Sequence, residues 1–179
     1  MVERSLELGS FTLSSGVRSN YYIDARRVTM SAEGQFLIGK VALEALREEG
    51  LNPGWLGGLT LGADPISYAV AHRSWMEGPP VEAFTVRKGE RDHGTARRIE
   101  GGLPSDACVA VVEDTLTTGG SALEAIAAVE AHGAEVTNVL VLVDREAGGA
   151  DRIREAGYSL ITLFTASELL SEAGAAPSG

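Results

Sequence analysis

The sequence predicts an α/β fold: a parallel, twisted sheet with helices on both faces. Three observations carry that prediction. Short runs rich in Val, Ile and Leu, at residues 109–112 and 136–143 above all, are mainly apolar rather than alternating, which marks strands buried on both sides. Stretches of helical length separate such runs, so successive strands lie parallel with crossover helices between them. Chemically active residues also follow directly after several runs: Leu61 to Asp64, Arg87 with Lys88, Glu113 with Asp114, and Asp144 with Arg145. The carboxyl edge of an open α/β sheet is where ligands bind.

Taken in order, residues 11–24 read as extended chain broken at Ser14, Ser15 and Gly16, with Tyr21, Tyr22 and Ile23 as a short strand. Ser31 is placed to cap a helix running through Glu49. Its apolar stripe is Phe36, Leu37, Val41, Leu43 and Leu46, and Gly50 closes it. A strand over 54–60 precedes a helix over 66–75, with Pro65 suited to a first turn. A strand over 81–86 leads into residues 87–98. The strand at 109–112 ends on Glu113 and Asp114, and a turn over 115–121 opens a helix over 122–132. The strand at 136–143 ends on Asp144 and Arg145. A short helix over 151–155, a strand over 159–164 and a last helix follow, and residues 173–179 are expected to fray. No repeat or linker divides these elements, so residues 1–179 read as a single domain.

Composition narrows the function classes. At 179 residues the chain is long enough to bury a substantial core, and 44% hydrophobic with 22% charged residues is ordinary for a soluble globular protein. No apolar run approaches the length of about 18 residues that a membrane span needs, and the N-terminus lacks a signal-peptide apolar region. The single cysteine, Cys108, falls in a buried-strand pattern and offers neither a disulfide framework nor a cysteine metal cluster, which points to a reducing, cytoplasmic setting. A net charge of −10 argues against a nucleic-acid surface. Yet residues 87–98 hold five of the fifteen basic residues, including Lys88, one of two lysines. The bland reading is a solvated charged loop. A net-acidic chain that gathers positive charge on one glycine-bearing loop is better explained by a polyanionic ligand there.

Residues 109–121 are the most informative. A buried strand is followed by Thr115, Leu116, Thr117, Thr118, Gly119, Gly120 and Ser121, and then by a helix. Unpaired backbone N–H groups and the positive end of the helix dipole converge there on a phosphate-sized hole. The P-loop lysine and the dinucleotide glycine fingerprint are both absent. Glu113 and Asp114 would repel a phosphate, so they serve something attached to it: hydroxyl groups or a divalent metal. A phosphate held at one end and a diol at the other describes a sugar phosphate. A plain strand-to-helix turn with a solvated acidic pair is the alternative.

With these residues assembled, the chain resembles the type I phosphoribosyltransferases. Residues 113–121 look like that family's signature for phosphoribosyl pyrophosphate. Residues 11–24, residues 87–94, and Asp144 with Arg145 resemble its orotate phosphoribosyltransferase branch in particular. The likeness runs from about residue 11 to residue 164 in the family's order. It implies a small N-terminal hood, about residues 1–30, over a base site. It implies transfer of the 5-phosphoribosyl group from phosphoribosyl pyrophosphate to N1 of orotate, giving orotidine 5'-monophosphate and pyrophosphate in pyrimidine biosynthesis.

The resemblance also implies roles. Thr117 to Ser121 would hold the 5-phosphate, with Thr115 and Leu116 beside them, while Glu113 and Asp114 would face the ribose hydroxyls. Arg87, Lys88, Arg91 and His93 would meet the pyrophosphate, with Leu61 to Asp64 as a short loop beside it. Arg145 would pair with the orotate carboxylate near Thr117 and Tyr22, and Ser15 and Tyr21 would belong to the hood. Arg91, Glu113 and Asp114 are the implied catalytic residues. Mg²⁺ is the implied cofactor, held mainly by substrate rather than by a protein cage, and a homodimer is the implied assembly, its mobile loop reaching toward the partner's site. The chain departs from the family at Arg91 and Ser14, which are lysine in other members, and relatives often carry a further helix before the segment matching Phe11. Arginine at 91 keeps the charge but changes its reach, which favours charge neutralisation over proton transfer there.

Two rivals remain on sequence grounds: a purine-base transferase of the same fold, and a non-enzymatic regulator that senses phosphoribosyl pyrophosphate and binds nucleic acid. Arg145 suits a carboxylated pyrimidine, and the acidic chain lacks the basic surface that a regulator needs. His72 and His132 sit in helical patterns and read as structural, and Asp144 reads as orienting Arg145.

Overall fold

A computed structural model describes residues 1–12, 18–89 and 98–175. The chain opens with a short helix, α1 (Val2–Ser5), and an antiparallel hairpin of β1 (Leu6–Thr12) and β2 (Arg18–Ile23), whose register shifts between Leu8 and Phe11. One helical turn, α2 (Arg26–Thr29), leads to α3 (Ala32–Glu48). Strands and helices then alternate: β3 (Trp55–Leu59), α4 (Ala63–Glu77), β4 (Glu82–Val86), β5 (Ile99–Glu100), β6 (Cys108–Leu116), α5 (Gly120–His132), β7 (Glu135–Asp144), α6 (Gly149–Glu155), β8 (Ser159–Thr165) and α7 (Ala166–Glu172).

The main sheet runs β5-β4-β3-β6-β7-β8. Its strands pair in parallel except β5, which lies antiparallel on β4, so the sheet is mixed rather than wholly parallel. A two-residue strand leaves no pattern to read in a sequence. After β4 and β5 the chain crosses back past β3, so β3 and β6 flank the point where the winding reverses. Ligands of α/β sheets sit above that point.

Alternation along the inner strands feeds two cores. Ala110, Val112, Leu140 and Leu142 pack with Ile38, Leu43 and Leu46 of α3, Ile66 and Val70 of α4, and Leu169 and Leu170 of α7. Val109, Val111, Val139 and Val141 pack on the opposite face with Ala125, Ile126 and Val129 of α5 and Ile153 of α6. Both faces are therefore covered by helices, as the apolar runs implied.

Ser31 caps α3, its Oγ accepting the Gly34 N–H at 3.0 Å. The buried stripe of that helix differs from the expected one. Ile38, Gly39, Ala42, Leu43 and Leu46 face inward, whereas Phe36, Leu37 and Val41 are exposed. Close approach is the reason: a Cβ on Gly39 would stand 2.5 Å from the Ala69 carbonyl oxygen of α4, so the two helices meet through small residues. Cys108, expected inside, is exposed at the start of β6. Among the described residues no helix is long and apolar enough to cross a membrane.

Candidate active site

β6 runs further than the sequence suggested. Glu113 and Asp114 do not end it; the ladder with β7 continues, Glu113 opposite Val141, Thr115 opposite Val143 and Leu116 opposite Asp144. Thr117, Thr118 and Gly119 make the turn into α5. Gly119, at the helix N-cap, has a φ of 77°, a left-handed conformation suited to glycine, and no side chain caps α5. The first-turn N–H groups thus face the space ahead of the helix. Helix α6 supports the turn from behind. A Cβ on Gly149 would lie 2.7 Å from the Thr117 carbonyl oxygen, and Arg152 Nη1 donates to the Thr118 carbonyl at 3.1 Å.

Ser121, Glu113, Asp114, Lys88, Arg26 and the segment from Leu59 to Gly62 line one cavity of about 190 Å³. Features from the ends of β3, β4 and β6 meet there. A Cβ at Gly62 would stand 2.4 Å from Asp114 Oδ1, so a larger residue there would displace that carboxylate. Asp114 Oδ1 also accepts the Thr115 N–H at 2.9 Å. Burial, the charge of Asp114 and a hydrogen bond to it push the Glu113 carboxyl up to about 8, against the opposing pull of Lys88. At neutral pH the acidic pair of the free protein therefore carries a proton.

A more open cavity of about 530 Å³ shares Thr60 and Lys88 with the first and adds Tyr68, Thr85, Arg87 and Glu100. Asp64, grouped in the sequence with the ligand-side loop, is buried and turned to support. It accepts from Thr60 Oγ1 at 2.6 Å and from Thr85 Oγ1 at 2.8 Å, which ties the loop after β3 to β4. The basic segment is clamped at its base. Arg87 N–H donates to the Arg98 carbonyl at 2.8 Å, Arg98 Nη2 donates back to the Arg87 carbonyl at 3.0 Å, and Arg87 lies 3.6 Å from Glu100. Arg91 and His93, like Ser14 and Ser15, lie outside the described residues.

Arg145 follows β7, its N–H donating to the Leu116 carbonyl at 2.9 Å. Its guanidinium carbon sits over the Tyr21 ring, 5.0 Å from the centroid. Asp144 Oδ1 accepts the N–H of Glu146, which has a φ of 58°, at 2.8 Å, so Asp144 holds the turn beside Arg145. Tyr22 alternates to the other face of the hairpin, where its ring lies 5.7 Å from that of Phe11. His132 Nε2 contacts the Leu103 carbonyl at 2.8 Å, and His72 is exposed.

Arg26 escaped the sequence reading. Asp24 grips it in a fork, Nε to Oδ1 at 2.8 Å and Nη2 to Oδ2 at 3.3 Å, and these hydrogen bonds hold the Asp24 carboxyl below its ordinary range. The only signal was an acid two residues ahead of an arginine, and the single turn of α2 that aims the arginine has no periodicity to detect. Among the described residues no three or more His, Cys, Asp or Glu side chains converge as a metal cage. The carboxylates lining the first cavity are Glu113 and Asp114.

The chain is 48% identical to the orotate phosphoribosyltransferase of Aquifex aeolicus over 171 residues, which span 94% of this chain and 92% of that protein. It superposes on the Mycobacterium tuberculosis orotate phosphoribosyltransferase in complex with Fe(III) dicitrate with a TM-score of 0.82, 41% identity and 93% of each chain covered. For that organism's enzyme in complex with 5-phospho-α-D-ribosyl 1-diphosphate, the TM-score is 0.72 at 39% identity over 82% of each chain. No protein-family model matches.

Proposed function

The chain belongs to the orotate phosphoribosyltransferase family, and on that premise we propose how its residues divide the reaction. N1 of orotate displaces pyrophosphate from C1 of the sugar, giving orotidine 5'-monophosphate. Bond breaking leads, so positive charge grows on the ribose ring and negative charge on the pyrophosphate. Orotate arrives as an anion, and no strong base is required. The protein must hold the reactants in line and absorb the leaving-group charge.

The turn from Thr117 to Ser121 receives the 5-phosphate on its N–H groups, with Thr115 and Leu116 setting its start. Glu113 and Asp114 face the ribose hydroxyls, and Arg87, Lys88, Arg91 and His93 meet the pyrophosphate. Arg145 pairs with the orotate carboxylate, with Thr117 and Tyr22 near the base. Mg²⁺ would be held mainly by substrate oxygens, with Glu113 and Asp114 as the fitting protein donors, and would supply charge neutralisation for the pyrophosphate. Positive charge in the site would favour the ionised form of Glu113, its proton leaving to solvent, so that both carboxylates face the developing cation. Residues 1–30 act as the hood of a single transferase domain.

The observation that carries this reading is the cavity in which the uncapped start of α5, the acidic pair and Lys88 come together. The relatives' shared identity as orotate phosphoribosyltransferases favours it over a purine-base transferase or a regulator. The test is loss of orotate absorbance when phosphoribosyl pyrophosphate and Mg²⁺ are added, with adenine, hypoxanthine and uracil as controls. Turnover of a purine and not of orotate overturns the reading. The proposed assembly is a homodimer, supported by exposed apolar side chains on α3 (Phe36, Leu37, Val41) and α4 (Tyr68, Trp75, Met76) of the kind that subunit interfaces cover. A lone thiol with no disulfide among the described residues supports a cytoplasmic location.

A further inference from the structure

Resting on the assignment of Arg145 to the orotate carboxylate, we propose that Tyr21 is a positioning residue for that arginine, its ring aiming the guanidinium and coupling the N-terminal hairpin to base selection.

An arginine that must receive a carboxylate faces a conflict. Its long stem needs to be held still, yet a protein carboxylate that held it would compete with the ligand for the same donors. Among the described residues Arg145 makes no ion pair, and its Nε is buried without a hydrogen-bond partner. What holds the guanidinium is the Tyr21 ring, 5.0 Å from centroid to carbon. An aromatic face attracts a cation without occupying its N–H groups. The donors stay available to a planar, bidentate acceptor, which a carboxylate provides.

The ring is itself well fixed. Tyr21 is buried in the core beneath the hairpin, packed with Ile23 and Val28. Its N–H donates to Ser19 Oγ at 3.3 Å, and Ser19 Oγ donates to its carbonyl at 2.7 Å. Across the hairpin it pairs with Leu8. The other end of the contact is anchored by the bond from Arg145 N–H to Leu116, in the strand that carries the acidic pair. A shift of the hairpin therefore moves the arginine's seat, and Tyr21 acts on substrate only through Arg145.

The test is steady-state kinetics on the full chain carrying Tyr21→Phe, Tyr21→Leu, and phenylalanines with one, two or three ring fluorines at position 21, the leucine variant also in an Arg145→Ala background. Fluorine drains the ring face of negative charge while keeping its shape, so a purely packing role does not register it. Tyr21→Phe should stay within about twofold of the parent. Tyr21→Leu should raise the KM for orotate by roughly two- to thirty-fold while the KM for phosphoribosyl pyrophosphate stays within about twofold. Each added fluorine should raise the orotate KM further, and Tyr21→Leu should add nothing once Arg145 is alanine. A flat fluorine series, equal weakening of both substrates, or full additivity with Arg145→Ala overturns the proposal. If Arg145→Ala itself weakens orotate no more than the donor, the Arg145 assignment fails and this inference with it.

Discussion

Replacing Glu113 with glutamine removes a carboxyl whose hold on a proton folding strengthens. In the folded free protein, burial and Asp114 lift the Glu113 carboxyl from 4.5 to about 8. Below pH 4.5 the folded and unfolded chains both hold the proton, and above about 8 neither does. Between those limits only the folded chain holds it, so stability falls as pH rises, by at most about 1.4 kcal/mol per pH unit. The whole shift sets a ceiling on the order of 5 kcal/mol. Solvent near the half-buried carboxyl and its coupling to Asp114 bring the expected loss to roughly 1–3 kcal/mol. Guanidinium denaturation of the parent and Glu113→Gln, repeated from about pH 5 to pH 9, isolates this group from the others that titrate. The variant's advantage should grow by that amount and level off above about pH 8. An equal difference at both ends would show the carboxyl already ionised in the fold and refute the reasoning. Donor binding with Mg²⁺ at pH 7 should also expel the proton, seen as a calorimetric enthalpy that tracks the buffer's own ionisation enthalpy.

Arg91→Ala should lower turnover on the order of 10²–10³-fold with donor binding kept; turnover equal to the parent's removes Arg91 from the chemistry. Arg145→Ala should raise the KM for orotate roughly ten- to a hundred-fold through loss of a charge-assisted hydrogen bond, and a matched loss for the donor contradicts the assignment. Gly62→Ala drives a Cβ to within 2.4 Å of Asp114 Oδ1. It should cut kcat/KM on the order of tenfold to a hundredfold while circular dichroism stays native, and undiminished activity would show that Asp114 yields without consequence. Trp75→Glu, on the exposed face of α4, should convert a dimer to monomer in light scattering; an unchanged mass places the interface elsewhere.

What the sequence disclosed tracks what local pattern encodes. The runs that became β6 and β7 were legible because strands buried on both faces carry consecutive apolar residues, 109–112 and 139–143, rather than alternating ones. The turn before α5 was legible because only glycine and small hydroxyl residues bring backbone N–H groups to an anion. The end of β6 was missed because it is set by the partner strand: β7 stays in register as far as Asp144, and the ladder carries the acids along with it. The face of α3 was misread because its contact with α4 is made by Gly39 and its small neighbours, so the large apolar residues that draw the eye point outward. β1, with mostly exposed side chains and two small residues at Gly9 and Ser10, exists through its pairing with β2 rather than through any apolar alternation. Arg26 beside Glu113 and Asp114, and Tyr21 against Arg145, are meetings of segments far apart in the chain, and beyond Asp24 two residues ahead of Arg26 no local signal announces them.

The N-terminal hairpin is a sheet of its own, tied down by the Asp24 N–H to the Ser5 carbonyl at 2.9 Å, the Arg27–Glu7 pair and the ring of Tyr21 against Arg145. Two strands alone barely hold together in water, and β1 buries little of itself. Only β2 contributes fully buried residues to the main core, Tyr21 and Ile23, so β1 is the strand expected to open first. Its backbone amides should exchange with solvent deuterium faster than those of β6, and if Arg145 receives the orotate carboxylate as proposed, orotate should slow that exchange. Occupancy of the base site should then be readable as protection of β1 and β2 amides, without following turnover at all.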